Sequence, residues 1–132
     1  MNVYLNFLSY LGVSMSLLVF GMLLFTLSTP KIKEFQLIAQ KNVAAAMLLG
    51  GKVMGLAIVL GAAAEYSISL VDMAIWGAIG IVAQVVVFFI AELITIRFSI
   101  QKAIEEDNRA VGTILLSLSL AVGWIVAKCL SY

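Results

Sequence analysis

From Asn42 to Ala64 (NVAAAMLLGGKVMGLAIVLGAAA) the chain carries a single charged side chain, Lys52. About 20 apolar residues are enough to cross roughly 30 Å of hydrocarbon. Inside that layer every backbone N–H and C=O must be satisfied within the protein, which leaves a helix as the form for such a stretch. Three more stretches have the same character: Val3–Leu27, Asp72–Ile96 and Arg109–Leu130. The expected fold is an all-α membrane protein with four transmembrane helices. The apolar run that begins at Met1 has no Lys or Arg before it and exceeds a secretory h-region of about 7–15 residues, so it reads as a retained span.

Composition agrees. The 132 residues are 64% hydrophobic and 11% charged, whereas soluble domains average roughly 45–50% apolar and 25% charged. A net charge of +1 and no basic stripe with interleaved aromatics give no footprint for nucleic acid. No histidine and a lone cysteine, Cys129, rule out an internal disulfide, the usual zinc sites and histidine-based hydrolytic triads. No metal, cofactor or catalytic motif is expected, and the chain reads as a non-enzyme. Cys129 reads as a packing residue, since a redox sensor would want a resolving partner.

Two polar connectors separate the spans. In Ser28–Lys41 (STPKIKEFQLIAQK), Thr29-Pro30 has the form of a helix start. Ile32, Phe35, Leu37 and Ile38 then mark the apolar side of a short interfacial helix. Phe98–Asp107 (FSIQKAIEED) is read the same way, with Phe98, Ile100, Ala103 and Ile104 facing lipid. Glu65–Val71 is a short turn. Asn42 and Asn108 stand at the N-cap positions of the second and fourth spans, or with the helix N-termini form a cytoplasmic anion site. Lys31, Lys33, Lys41, Arg97, Lys102 and Arg109 flank the connectors, while the opposite side has Lys128. The positive-inside rule then puts the connectors in the cytoplasm and both termini outside.

Placing residue n on n+66 aligns Asn42 with Asn108, Ala44 with Ala110, Gly51 with Ser117 and Gly55 with Ala121. The chain thus reads as a tandem repeat of a two-helix unit, 1–66 and 67–132, joined in one membrane domain. Two units of like orientation imply a pseudo-two-fold axis along the membrane normal. Gly51, Gly55, Ser117 and Ala121 are the expected helix-packing positions, since small residues let backbones approach.

Thr29-Pro30, Glu34-x-Gln36-Leu37-Ile38, Asn42-x-Ala44-Ala45, Gly51 with Gly55, Ser67-x-Ser69-x-x-Asp72, Trp76-Gly77, Gln84, Asn108-x-Ala110 and Cys129 form an ordered set along nearly the whole chain. This set resembles the domain of unknown function 350 family of YjfL-like small bacterial inner-membrane proteins. The resemblance implies an inner-membrane location, a duplicated two-helix unit and an association with envelope stress. Departures from its pattern are Lys52, where a small or hydroxyl residue is expected, and Val126 and Lys128, where Asn and Ala are expected.

Lys52 lies about 14 Å into its span and Glu92 about 8 Å from the same membrane face at 1.5 Å rise per residue. A charge at such depth costs about 2.5–3.5 kcal/mol on insertion scales and faces the bundle interior. With Gln84 near mid-span, Lys52 and Glu92 form either a structural ion pair or part of an ion or proton path. The expected role is an oligomeric scaffold or docking component of an envelope or membrane-stress system. Its partners are the bilayer, further copies of the chain and a cytoplasmic or membrane protein. The alternative is a small oligomeric ion or proton channel using Lys52, Gln84 and Glu92.

Overall fold

In the computed structural model, residues 3–28, 34–95 and 100–130 are described, with side chains for 3–27, 35–90 and 102–130. The elements are α1 (Val3–Ser28), α2 (Glu34–Ala39), α3 (Val43–Tyr66), α4 (Leu70–Thr95), α5 (Ile100–Glu105) and α6 (Arg109–Cys129). Four of them, α1, α3, α4 and α6, are long and apolar enough to cross a membrane. They coincide with the four expected spans to within a few residues. A short helix lies within each connector; the expected Thr29-Pro30 start lies outside the described residues.

The helix α3 is the centre, packed against α1, α2, α4, α5 and α6. Its most extended seam is with α6, and the two run parallel: Ala44 faces Gly112 near one end and Gly55 faces Gly123 further along. Lipid tails are as apolar as leucine, so helices in a bilayer associate through close packing and polar contacts rather than by escaping water. Here the glycines make that packing possible. A Cβ on Gly123 would lie 2.7 Å from the Gly55 carbonyl oxygen, and one on Gly51 2.9 Å from Leu116 Cα. One on Gly112 would lie 3.0 Å from Ala44 Cα. The small residues of α3 therefore serve a seam within the chain. Phe25, Leu48, Leu56, Leu60, Ile81, Phe88 and Leu115 fill the space between α1, α3, α4 and α6.

On α6 the packing face differs from expectation. Ser117 and Ala121 are exposed, and Gly112, Ser119, Val122, Gly123 and Val126 are buried instead. The closest backbone approach follows the glycines, and α6 has those at 112 and 123, not at the positions aligned with Gly51 and Gly55. Nor does α1 mirror α4: α4 lies against both α3 and α6, while α1 lies against α3 and α4. A two-fold relation of the span faces is therefore not kept. The connectors correct another expectation. Ile104 is fully buried and Ala103 nearly so, with Ile104 in the protein core beside Leu37 and Ile38. These residues close one end of the bundle instead of facing lipid.

Each connector ends in a tight joint. Lys41 N–H donates to Ile38 O at 2.9 Å and Asn42 N–H to Leu37 O at 2.9 Å, with Lys41 at φ 65°. That is a Schellman motif, with a left-handed residue after the helix and paired bonds back to its last turn. The same pattern recurs at Asp107 (φ 56°), where Asp107 N–H donates to Ile104 O and Asn108 N–H to Ala103 O. In both, the next residue is the asparagine that caps the following span.

Four substitutions check this fold. Gly123→Leu is expected to lower stability in detergent by about 2 kcal/mol or more, because overpacking against backbone cannot relax. In contrast, Gly50→Ala and Gly61→Ala, whose Cβ would meet nothing within 4 Å, are expected to be neutral or to stabilise by up to about 1 kcal/mol. Lys41→Gly is expected to stabilise by about 1 kcal/mol, since a non-glycine residue is strained at positive φ. Thermal unfolding of the purified variants reads all four.

Candidate functional site

Three polar residues of the spans meet on the inner faces of α3, α4 and α6. Lys52, Gln84 and Ser119 are each fully buried. Ser119 Oγ–H donates to Gly51 O at 2.9 Å, and Gln84 Nε2–H donates to Ser119 O at 3.1 Å. Three helices are thereby linked by two hydrogen bonds. The close approach of α3 and α6 makes the first bond possible, and Gly55 makes the second possible: a Cβ there would lie 2.6 Å from Gln84 Nε2. Gln84 Oε1 is buried with no hydrogen-bond partner among the described residues.

Lys52 leaves α3 on the side of α1 and α4. Its ammonium stands 5.5 Å from the centre of the Phe25 ring, and Phe25 meets Phe88 edge-on at 5.5 Å. A desolvated cation over an aromatic face gains about 2 kcal/mol, which offsets much of the cost of its depth. Glu92 belongs to α4, but its side chain lies outside the described residues, and so does the expected pairing with Lys52. Of the three residues singled out in the spans, Lys52 and Gln84 thus share the buried interior. Ser119 was missed in the sequence, where the repeat alignment favoured Ser117. The signal for it is the spacing Gly112, Ser119, Val126, seven residues apart along one face of a helix.

At the connector end, the asparagines act as caps. Asn42 Oδ1 accepts from Ala45 N–H at 2.8 Å, and Asn108 Oδ1 from Val111 N–H at 3.2 Å. Asn42 also donates from Nδ2 to Ile104 O at 2.6 Å, across the two connectors. The α3 N-terminus does hold an anion, and that anion is the chain's own Asp107: Ala44 N–H donates to Asp107 Oδ1 at 2.8 Å. Arg109 pairs with the other carboxylate oxygen at 3.5 Å. The Ala44 and Ala45 N–H groups at the start of α3 are thus filled from within.

The two caps therefore carry unequal weight. Asn42→Ala is expected to cost about 2 kcal/mol, the upper end for a cap, because it also strands the Ile104 carbonyl. Asn108→Ala is expected to cost about 0.5–1 kcal/mol. Equal losses on thermal unfolding would contradict this assignment.

Comparison with known proteins places this architecture. No solved structure matches the chain. The chain is 36% identical over 126 residues to the UPF0719 transmembrane protein YshE of Bacillus subtilis (strain 168), covering 96% of this chain and 93% of that one. It is 30% identical over 128 residues to the UPF0719 inner membrane protein YjfL of Escherichia coli (strain K12), covering 97% and 95%. The model of the Domain of Unknown Function (DUF350) matches residues 1–130. With four apolar helices of spanning length and this match along its whole described length, the chain is an integral membrane protein belonging to the DUF350 family.

Proposed function

We propose that this protein is a non-enzymatic scaffold or docking component of the bacterial inner membrane. Its connectors lie on the cytoplasmic side and serve as the contact surface. The observation that carries this reading is how the buried polar groups are used. The Ser119 hydroxyl and the Gln84 amide bind backbone carbonyls of neighbouring helices. Backbones there are so close that a methyl group at Gly55 or Gly123 has no room. A seam of that kind holds helices together and leaves no lumen at its depth. At the connector end, Phe35 on α2 and Lys102, Glu105 and Glu106 on α5 and the following turn are exposed. They offer an aromatic and charges of both signs to a partner. The broad exposed apolar side of α1, from Leu5 through Met15 to Leu23, suits lipid or a further copy of the chain. The recurrence of the Schellman joint at Lys41 and Asp107 supports reading the chain as a duplicated two-helix unit.

One observation favours the second reading, a small ion or proton channel: Gln84 Oε1 is a buried acceptor with no partner among the described residues. Flux through proteoliposomes separates the two. Vesicles containing correctly inserted wild-type protein are expected to stay tight to protons and alkali cations. Gln84→Leu is expected to leave them so. Wild-type flux that falls in both Gln84→Leu and Glu92→Gln would replace the scaffold reading by the channel.

A further inference from the structure

The end of the bundle opposite the connectors holds a cavity of about 210 Å³. It lies where the last turn of α3, the α3–α4 turn, the first turns of α4 and the end of α6 meet. Tyr66, Ser67, Asp72, Trp76 and Cys129 are among the side chains that line it. We propose that this cavity binds an organic ammonium group, such as the head group of an ethanolamine lipid or a free alkylamine. This inference does not rest on the scaffold reading.

Charge selects the ligand. Asp72 is the one ionic side chain in the lining, and no lysine or arginine is among the lining residues. One carboxylate oxygen, Oδ2, accepts from Ile68 N–H at 3.1 Å, while Oδ1 takes no hydrogen bond among the described residues. The ends of α3 and α6, which carry partial negative charge, border the same space. The opposing positive end of α4 is covered by Ser69, whose Oγ accepts from Asp72 N–H, and by Asp72 itself. The nearest basic residue in sequence, Lys128, holds its ammonium 4.7 Å from the centre of the Trp124 ring, in a neighbouring depression. The one charge in the lining therefore favours a cation over an anion.

Shape and surface select further. Trp76 and Tyr66 add two aromatic rings to the lining, and aromatic rings attract cations, alkylated ammonium groups included. Both are half-exposed, as side chains at a membrane–water boundary are. Ala63 and Leu130 supply an apolar side. A ligand with a positive head and an apolar continuation satisfies both halves of this lining.

Cys129, exposed and part of the wall, is the only cysteine in the chain and reports occupancy directly. The experiment measures its rate of alkylation by a neutral maleimide in nanodiscs of phosphatidylglycerol alone or mixed with phosphatidylethanolamine, each with and without added free ethanolamine or choline. Asp72→Asn keeps the oxygen that accepts from Ile68 and removes the charge. Trp76→Leu removes the aromatic wall independently. An occupied cavity slows alkylation in proportion to its vacant fraction, roughly tenfold at a ligand concentration ten times the dissociation constant. Slowing in the ethanolamine-lipid discs that disappears in both variants identifies a lipid head group. Slowing only on adding free amine to phosphatidylglycerol discs, again lost in both variants, identifies a soluble amine. Equal rates under all conditions, or slowing that survives Asp72→Asn, would overturn the proposal.

Discussion

The structure depends on the contact of two backbones, α3 against α6, with glycine on both sides of it. Close approach of this kind is the main source of helix attraction in a medium where apolar burial counts for little. It also sets where polar groups can go. The Ser119 hydroxyl reaches the Gly51 carbonyl only because α6 sits within backbone distance of α3. The Gln84 amide finds Ser119 only because Gly55 has no side chain in its way. Helix α4 is thus fixed to the pair by a polar bond, and α1 is added by apolar contacts, among them the fit of Leu56 beside Gly21 and of Leu17 beside Gly77.

What the sequence disclosed follows the strength of each physical signal. Spans were legible because a bilayer tolerates few ways to arrange about 20 apolar residues. The asparagine caps were legible because few residues suit that position. The joints before them were hidden, since neither Lys41 nor Asp107 is the glycine that usually marks a left-handed residue. The α6 packing face was hidden for a different reason. Aligning residue n with n+66 compares two sequences, but packing compares two surfaces, and Ser117 shares the register of Gly51 without sharing its neighbours. Lys52 and Gln84 were visible as polar residues out of place. Their arrangement, with Phe25 beside the lysine and Ser119 beside the amide, required the tertiary fold.

The fate of the charges follows one rule. Where a potential binding group occurs near the spans, the chain supplies its own counterpart: Asp107 for the N-terminus of α3, Phe25 for Lys52, Trp124 for Lys128. Among the described residues, Asp72 is answered on one side only, by Ile68 N–H. Its environment is therefore the most open of these to something from outside the chain.

The parallel seam also constrains how the protein is made. Its two helices are the second and the fourth of the described spans, and they are separated in the chain by α4 and α5. When α3 leaves the insertion machinery, Lys52 enters lipid before α4 brings Phe88 and Gln84 and well before α6 brings Ser119. Until α6 arrives, α3 shows the surrounding lipid a bare glycine groove. Closure of the seam consequently waits for α6. A half-made chain exposes a polar helix face of the kind that membrane quality-control proteases and insertion chaperones encounter, and the finished fold conceals it.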